Sequence, residues 1–272
     1  MATTIQNPPP KNPDNDPEEE ELSGKQMSFL EHLEELRQRL LRSVISVAVG
    51  FAVCFYFHES IYNYLAKPLT DTLHALHMPD KLVYTNPIDP FNLYIKIAAL
   101  AGVFLASPYV LWQLWLFISP GLYRHEKRYV WPFVLLTSGL FISGGLFAYK
   151  LAFPPALQFL LRFGHDFQPM VTINEYWSIA MTIIVGVGLV FELPVIILVL
   201  SIFGIVTPKF LLRQLRYAVL VTAVVAAAIA PTPDMATLFI LWIPMVGLYV
   251  LSIGLSWLVY LRKKWKKKRA SA

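Results

Sequence analysis

From Ile179 to Phe203 the chain carries no histidine and a single charge, Glu192, near the middle, and Pro194 follows two residues later. A run of this length is enough to cross a hydrocarbon layer of about 30 Å as a helix. In that setting a carboxylate is the anomaly. An ionisable group at the centre of a span costs about 2.5–3.5 kcal/mol on insertion scales and calls for a polar cavity, a partner or a function. Pro194 adds to the demand, because it has no backbone N–H and leaves a carbonyl upstream that also wants a donor.

The rest of the sequence agrees with a chain that lives in lipid. Apolar residues make up 56% and charged residues only 15%, which is too apolar for one soluble core of 272 residues and far from disordered. Further apolar runs lie near Val44–Phe57, Leu93–Ile118 and Val130–Phe153. Tyr217–Ala230 follows with only 14 residues, and Ala236–Leu261 is longer but expected to be broken at Pro244 and Gly247. Fourteen residues reach about 21 Å as a helix, so the fifth span, next to Pro231-Thr232-Pro233, implies local bilayer thinning or water entry on that side. The expected fold is all-α: a polytopic membrane protein of six transmembrane helices.

Orientation follows from the basic residues. With both termini cytoplasmic, 18 of the 23 Lys and Arg residues lie inside, in the N-terminal segment, Arg124–Arg128, Lys209–Arg216 and Arg262–Arg269. Lys67, Lys81, Lys150 and Arg162 fall outside, and Lys96 lies within the second span. The positive-inside rule therefore places both ends in the cytoplasm. The net charge of +5 is a topological signal and not a sign of nucleic-acid binding.

Residues 1–26, with Pro8-Pro9-Pro10 followed by Asp14, Asp16 and Glu18–Glu21, have almost nothing to bury and read as a disordered acidic tail. The first apolar run begins behind acidic residues and not behind a basic n-region, so it reads as a retained span and not a signal peptide. The membrane domain is placed at 27–262 and a basic cytoplasmic tail at 263–272, able to hold the last helix at an anionic leaflet. Cys54 is the only cysteine, so no internal disulfide forms.

Enzyme chemistry is mostly excluded by what is missing. All six histidines sit in loops or at span ends, which removes haem ligation in the bilayer and the usual base for an intramembrane serine. His125-Glu126 begins like a zinc motif, but Tyr129 stands where the second ligand belongs. Gly186 and Gly188 read as small residues that let helices pack closely. No cofactor or metal site is expected.

What remains is acidic chemistry at the cytoplasmic face. Ser28 and Glu31 have the spacing of a capping box. Behind them Phe29, Leu30, Leu33, Leu36 and Leu40 recur at helical spacing, so an amphipathic turn or more is expected to lie along the membrane surface before the chain dives in. Its polar side carries Glu34, Glu35, Arg37 and Arg39, and Glu35 with Arg39 is an i,i+4 pair that reads locally as a solvated salt bridge of about 0.2–0.5 kcal/mol. In the loop Ser119–Arg128, Glu126 stands among basic neighbours and reads locally as a charge balancer.

Several segments taken together are more specific than any of these. His32-Leu33-Glu34-Glu35-Leu36-Arg37-Gln38-Arg39-Leu40, the stretch Ala106–Phe117, Leu122–Arg128, Phe191-Glu192-Leu193-Pro194 and Pro231-Thr232-Pro233-Asp234 closely resemble TatC, the core subunit family of the twin-arginine protein translocase. The resemblance runs in order from about Ser28 to Leu261. It implies six helices arranged as a concave cup in the bacterial inner membrane. The implied job is that of a receptor and not an enzyme: export of folded proteins by recognition of paired-arginine signal peptides, with the single-span partners TatA and TatB, in a complex with several copies of the chain.

Carried over by position, Glu35 and Glu126 match the two glutamates that recognise the arginine pair, and Phe117 matches an aromatic beside them. Glu192 matches an intramembrane glutamate facing the cup, and Pro68 and Asp234 match positions with less defined roles. Gly121, the long acidic tail and Met235-Ala236-Thr237-Leu238, which lacks a glutamine, depart from the family pattern.

A guanidinium is planar, permanently charged and offers two parallel donors, so a carboxylate can grip it in a way lysine cannot copy. Glu35 and Glu126 could each take one arginine, displacing their local partners Arg39 and Lys127 at a few tenths of a kcal/mol per exposed pair. The competing reading is a proton-coupled transporter of a small solute with Glu192 as its coupling site. No second broken helix in a matching half supports it.

Overall fold

A computed structural model describes residues 29–77, 82–118, 130–164 and 170–270. Within these residues the regular structure is helical, and the one β contact is an isolated parallel bridge between Val83 and Thr172. Five helical segments are long and apolar enough to cross a membrane: Leu30–Tyr56, Asp89–Phe117, Trp131–Phe163, Ile173–Ile202 and Met235–Leu261. With the shorter Leu215–Ile229 they make the six spans of a polytopic membrane protein.

Helix α1 (Phe29–Tyr56) is a single helix. The amphipathic entry segment therefore continues coaxially into the first span and is not a separate surface turn. Nothing between Arg39 and Val44 breaks the ladder, and the hydroxyls of Ser43 and Ser46 fold back onto the carbonyls of Arg39 and Ser43, at 2.9 and 2.7 Å. Ser28 lies outside the described residues, and with it the capping box. Leu40, Leu41, Val44, Ile45, Val49 and Val53 stay exposed along α1, the apolar surface expected of a lipid-facing helix.

The chain then forms α2 (His58–Ala75), a helix in the connection between the first two spans. Ala66, Leu69, Thr72 and Leu73 pin it to the bundle. Helix α3 (Asp89–Ile118) returns across the layer and packs along α1 more extensively than any other described pair. Glycines make this approach possible: a Cβ on Gly50 would stand 2.7 Å from the Gly102 carbonyl oxygen, and one on Gly102 would stand 2.7 Å from the Phe51 nitrogen.

The third span outruns the expected Val130–Phe153. Helix α4 (Val130–Phe147) passes through a π-helical turn, Ala148–Ala152, into α5 (Phe153–Phe163). The fourth span is split, as Pro194 requires. Helix α6 (Ile173–Val190) stops, Phe191 and Glu192 form a turn, and α7 (Leu193–Ile202) restarts with Pro194 in its first turn, where a missing N–H costs least. After α8 (Pro208–Arg213), helix α9 (Leu215–Ile229) spans only 15 residues, or about 22 Å. Helix α10 (Met235–Ala270) then runs unbroken through Pro244 and Gly247, contrary to expectation, and stays helical into the basic segment 263–270. Trp242 helps hold α10 to the short α9, its indole Nε1–H donating to the Val219 carbonyl at 3.1 Å and the Thr222 hydroxyl at 3.3 Å.

Packing is uneven along the bundle. The main core gathers Trp177, Tyr176, Phe153, Leu69, Leu73 and Ile97 at the end where α2 lies. At the opposite end a smaller cluster joins Trp115, Phe133, Val134 and Val195, with the Trp115 and Phe133 rings stacked at 3.7 Å.

Candidate functional site

The lightly packed end is where the first turns of α1 meet the last turns of α3. There the imidazole of His32 stacks on Phe117, ring centroids 4.5 Å apart and planes 16° from parallel. One turn further along α1, Arg39 donates from Nε to Glu35 Oε1 at 2.9 Å and from Nη2 to the same oxygen. Its remaining nitrogen, Nη1, reaches across to Gln113 Oε1 on α3 at 3.3 Å. The Glu35 and Arg39 side chains are only 17% and 18% exposed, so the pair is not the solvated salt bridge that its spacing implies. Glu35 Oε2 is buried with no hydrogen-bond partner among the described residues.

Around this pair Glu31, Glu34, Gln38 and Arg42 form a stripe along α1 that lines an open depression of about 290 Å³. A largely buried carboxylate already holding a guanidinium is chemically suited to binding another. Glu126 lies outside the described residues, as does the rest of the loop Ser119–Arg128. Its flanks, Ile118 and Val130, both stand at the same end of the bundle as Glu35.

Glu192 sits in the turn between α6 and α7, half-buried, and its Oε1 is fully buried without a partner among the described residues. The neighbouring Phe191 packs over Gly144 of α4 so closely that a Cβ there would come 2.7 Å from its ring. The Trp115 indole N–H and the Ser138 hydroxyl, also in the membrane layer, are likewise buried and unpartnered. Among the described residues the spans thus leave the Glu192 carboxylate oxygen, the Ser138 hydroxyl and the Trp115 and Trp177 indole N–H groups unmet, and each such group costs free energy unless something polar meets it.

Pro68 has a clear physical consequence in α2. Without an N–H it cannot bond the Tyr64 carbonyl one turn back, and that carbonyl instead accepts from the Tyr149 hydroxyl in the π-helical turn. The adjacent Leu65 carbonyl accepts from the Tyr176 hydroxyl at 3.0 Å. The proline thus turns a helix defect into a tie to the third span, and the Leu65 carbonyl beside it adds one to the fourth. Asp234 caps α10, accepting the Thr237 N–H on Oδ2 at 2.7 Å. Burial pushes its carboxyl up, but this bond and the neighbouring Thr232 and Thr237 hydroxyls, which do not complete bonds of ordinary geometry, outweigh it and hold the group below its usual range.

The sequence matches the profile of TatC, the Sec-independent protein translocase protein, over residues 31–244. The chain belongs to the TatC family. A TatC protein of Koribacter versatilis is 48% identical over 252 residues, covering 93% of this chain and 92% of the relative. That of Aquifex aeolicus is 36% identical over 241 residues, covering 88% and 98%. A crystal structure of the twin-arginine translocase receptor TatC superposes with a TM-score of 0.71 at 36% identity, covering 84% of this chain and 99% of that one. The same receptor in the detergent DDM gives a TM-score of 0.72. These findings do not favour the small-solute transporter.

Two site residues escaped the sequence reading. Gln113 is 3% exposed and touches Arg39. Its signal was available: a lone amide between Trp112 and Leu114 in an otherwise apolar run. Tyr149 carried no comparable mark, because only the fold reveals that it answers Pro68.

Proposed function

We propose that this chain is the receptor of a Sec-independent translocase, binding twin-arginine signal peptides of folded cargo at Glu35 and Glu126 with Phe117 beside them. The observation that supports it is the guanidinium already held by Glu35 at the α1–α3 junction. One carboxylate on α1 and one on the following inner loop would each take one arginine, and the paired geometry separates Arg-Arg from Lys-Lys. In this reading the chain sits in the bacterial inner membrane with both termini cytoplasmic, 1–26 and 263–272 as polar tails to the 27–262 membrane domain. It assembles with TatA, TatB and further copies of itself. Glu35→Ala combined with Glu126→Ala abolishes cross-linking to an Arg-Arg signal peptide while the protein still inserts; undiminished cross-linking refutes the assignment.

Glu192 serves as a polar seat for a partner's membrane helix or for the signal-peptide hairpin, and Ser138 and Trp115 are further buried polar groups without partners among the described residues. Pairing of this kind is worth about 0.6–2 kcal/mol in a membrane. Glu192→Gln keeps a hydrogen-bonding group but cannot titrate. Retained export supports the seat, and lost export with intact partner assembly supports proton coupling in its place.

A further inference from the structure

We propose that Arg39 is a resident guanidinium that fills Glu35 while no signal peptide is bound, and that Gln113 is the acceptor that keeps it when a ligand arginine arrives. This rests on reading Glu35 as an arginine-binding carboxylate. Arg39 commits Nε and Nη2 to one oxygen of Glu35, and the other oxygen is buried and has no partner among the described residues. An incoming guanidinium therefore cannot form a two-oxygen fork until Arg39 moves. The pair is more than four-fifths buried, so solvent and salt do not dissolve it as they do a surface ion pair.

Arg39 also has somewhere to go. Its Nη1 already lies 3.3 Å from the Gln113 carbonyl oxygen, on a buried side chain of a different helix. A small swing of the guanidinium releases Glu35 without stranding a buried charge in apolar surroundings. The vacated stripe keeps Glu31, Glu34 and Glu35 lining the depression, with Arg42 as the remaining cation among the described residues that line it.

The exchange has a consequence for selectivity. Replacing one guanidinium by another conserves the planar, two-donor geometry, whereas a lysine ammonium brings a strongly hydrated point charge. The resident arginine thus sets a threshold that a ligand guanidinium meets and an ammonium does not. Arg39 and Gln113 are in this sense specificity-determining residues that act through Glu35.

The test is peptide binding to the purified full-length protein in nanodiscs, using synthetic signal peptides carrying Arg-Arg or Lys-Lys. Arg39→Gln should bind the Arg-Arg peptide about tenfold tighter, because a largely buried ion pair no longer competes for Glu35. The ratio of Arg-Arg to Lys-Lys affinity should fall by about threefold or more, because the threshold is gone. Gln113→Leu should weaken Arg-Arg binding in the wild-type background and leave it unchanged in Arg39→Gln. An Arg39→Gln protein that binds no tighter, or with an unchanged ratio, overturns the proposal. If that variant does not yield a monodisperse protein, Arg39→Lys takes its place, with an intermediate gain expected and no gain overturning the idea. Glu35→Ala separates the two layers: undiminished binding sinks the Glu35 assignment itself, while lost binding with an inert Arg39→Gln sinks only the resident arginine.

Discussion

The link between Pro68 and Tyr149 can be measured as a coupling. In Tyr149→Phe the Tyr64 carbonyl loses the hydroxyl that meets it, and Pro68 offers no N–H in return. Tyr149 is buried and the site adjoins the hydrocarbon, so water does not readily replace the lost donor. The cost should lie in the range of about 1–3 kcal/mol for an unsatisfied buried acceptor. In a Pro68→Ala background the restored N–H at position 68 bonds the Tyr64 carbonyl within the helix. The same Tyr149→Phe change should then cost about 0.5 kcal/mol or less. The expected coupling is therefore on the order of 1–2 kcal/mol, well above the few tenths within which independent sites add. Reversible unfolding of the four proteins in mixed micelles, followed by tryptophan fluorescence, measures it. Additive costs would mean that the carbonyl finds its donor elsewhere and that the proline does not create the tie.

Three further outcomes are expected. Gly102→Ala places a Cβ 2.7 to 3.0 Å from backbone atoms of Phe51 and Gly50, so α1 and α3 must separate at a cost of about 1–3 kcal/mol; Gly139→Ala, with nothing within 4 Å, is the control and should leave the thermal midpoint nearly unmoved. Asp234→Ala removes the cap of α10 and should cost about 0.5–2 kcal/mol at neutral pH. Because the folded state holds the Asp234 carboxyl below its ordinary value, that contribution is present above the usual carboxylate range and fades as pH falls through the lower folded value. Wild type and variant should therefore converge in stability in acid, and a constant gap across the titration would refute the assignment. Trp242→Phe deprives the Val219 carbonyl and Thr222 hydroxyl of a donor and should lower unfolding free energy by about 0.5–1.5 kcal/mol, read by the same micelle assay.

Much of the architecture was legible because lipid makes simple demands. The six spans, the short fifth one and the break before Pro194 all follow from apolar length and one missing N–H. Helix α2 was not legible: Lys67, Asp71 and Pro68 make it read as a loop, although Leu65, Ala66, Leu69 and Leu73 recur at helical spacing. Pro244 misled in the opposite direction, since α10 continues through it. At the site, Glu35 and Phe117 were visible only through resemblance, because an i,i+4 pair looks the same whether it is solvated or covered. What covers it here is α3, brought close by Gly50 and Gly102, and that proximity is a tertiary fact.

The uneven packing has a mechanical result. Gly50 is 15 residues from Glu35, about 22 Å along the helix, and the dense aromatic core lies beyond Gly50 at the far end. A tilt of about 5° at that pivot carries the carboxylate about 2 Å. The long helices are in effect levers anchored at one tip, so that small adjustments where the protein is stiff become large adjustments at the Glu35 carboxylate.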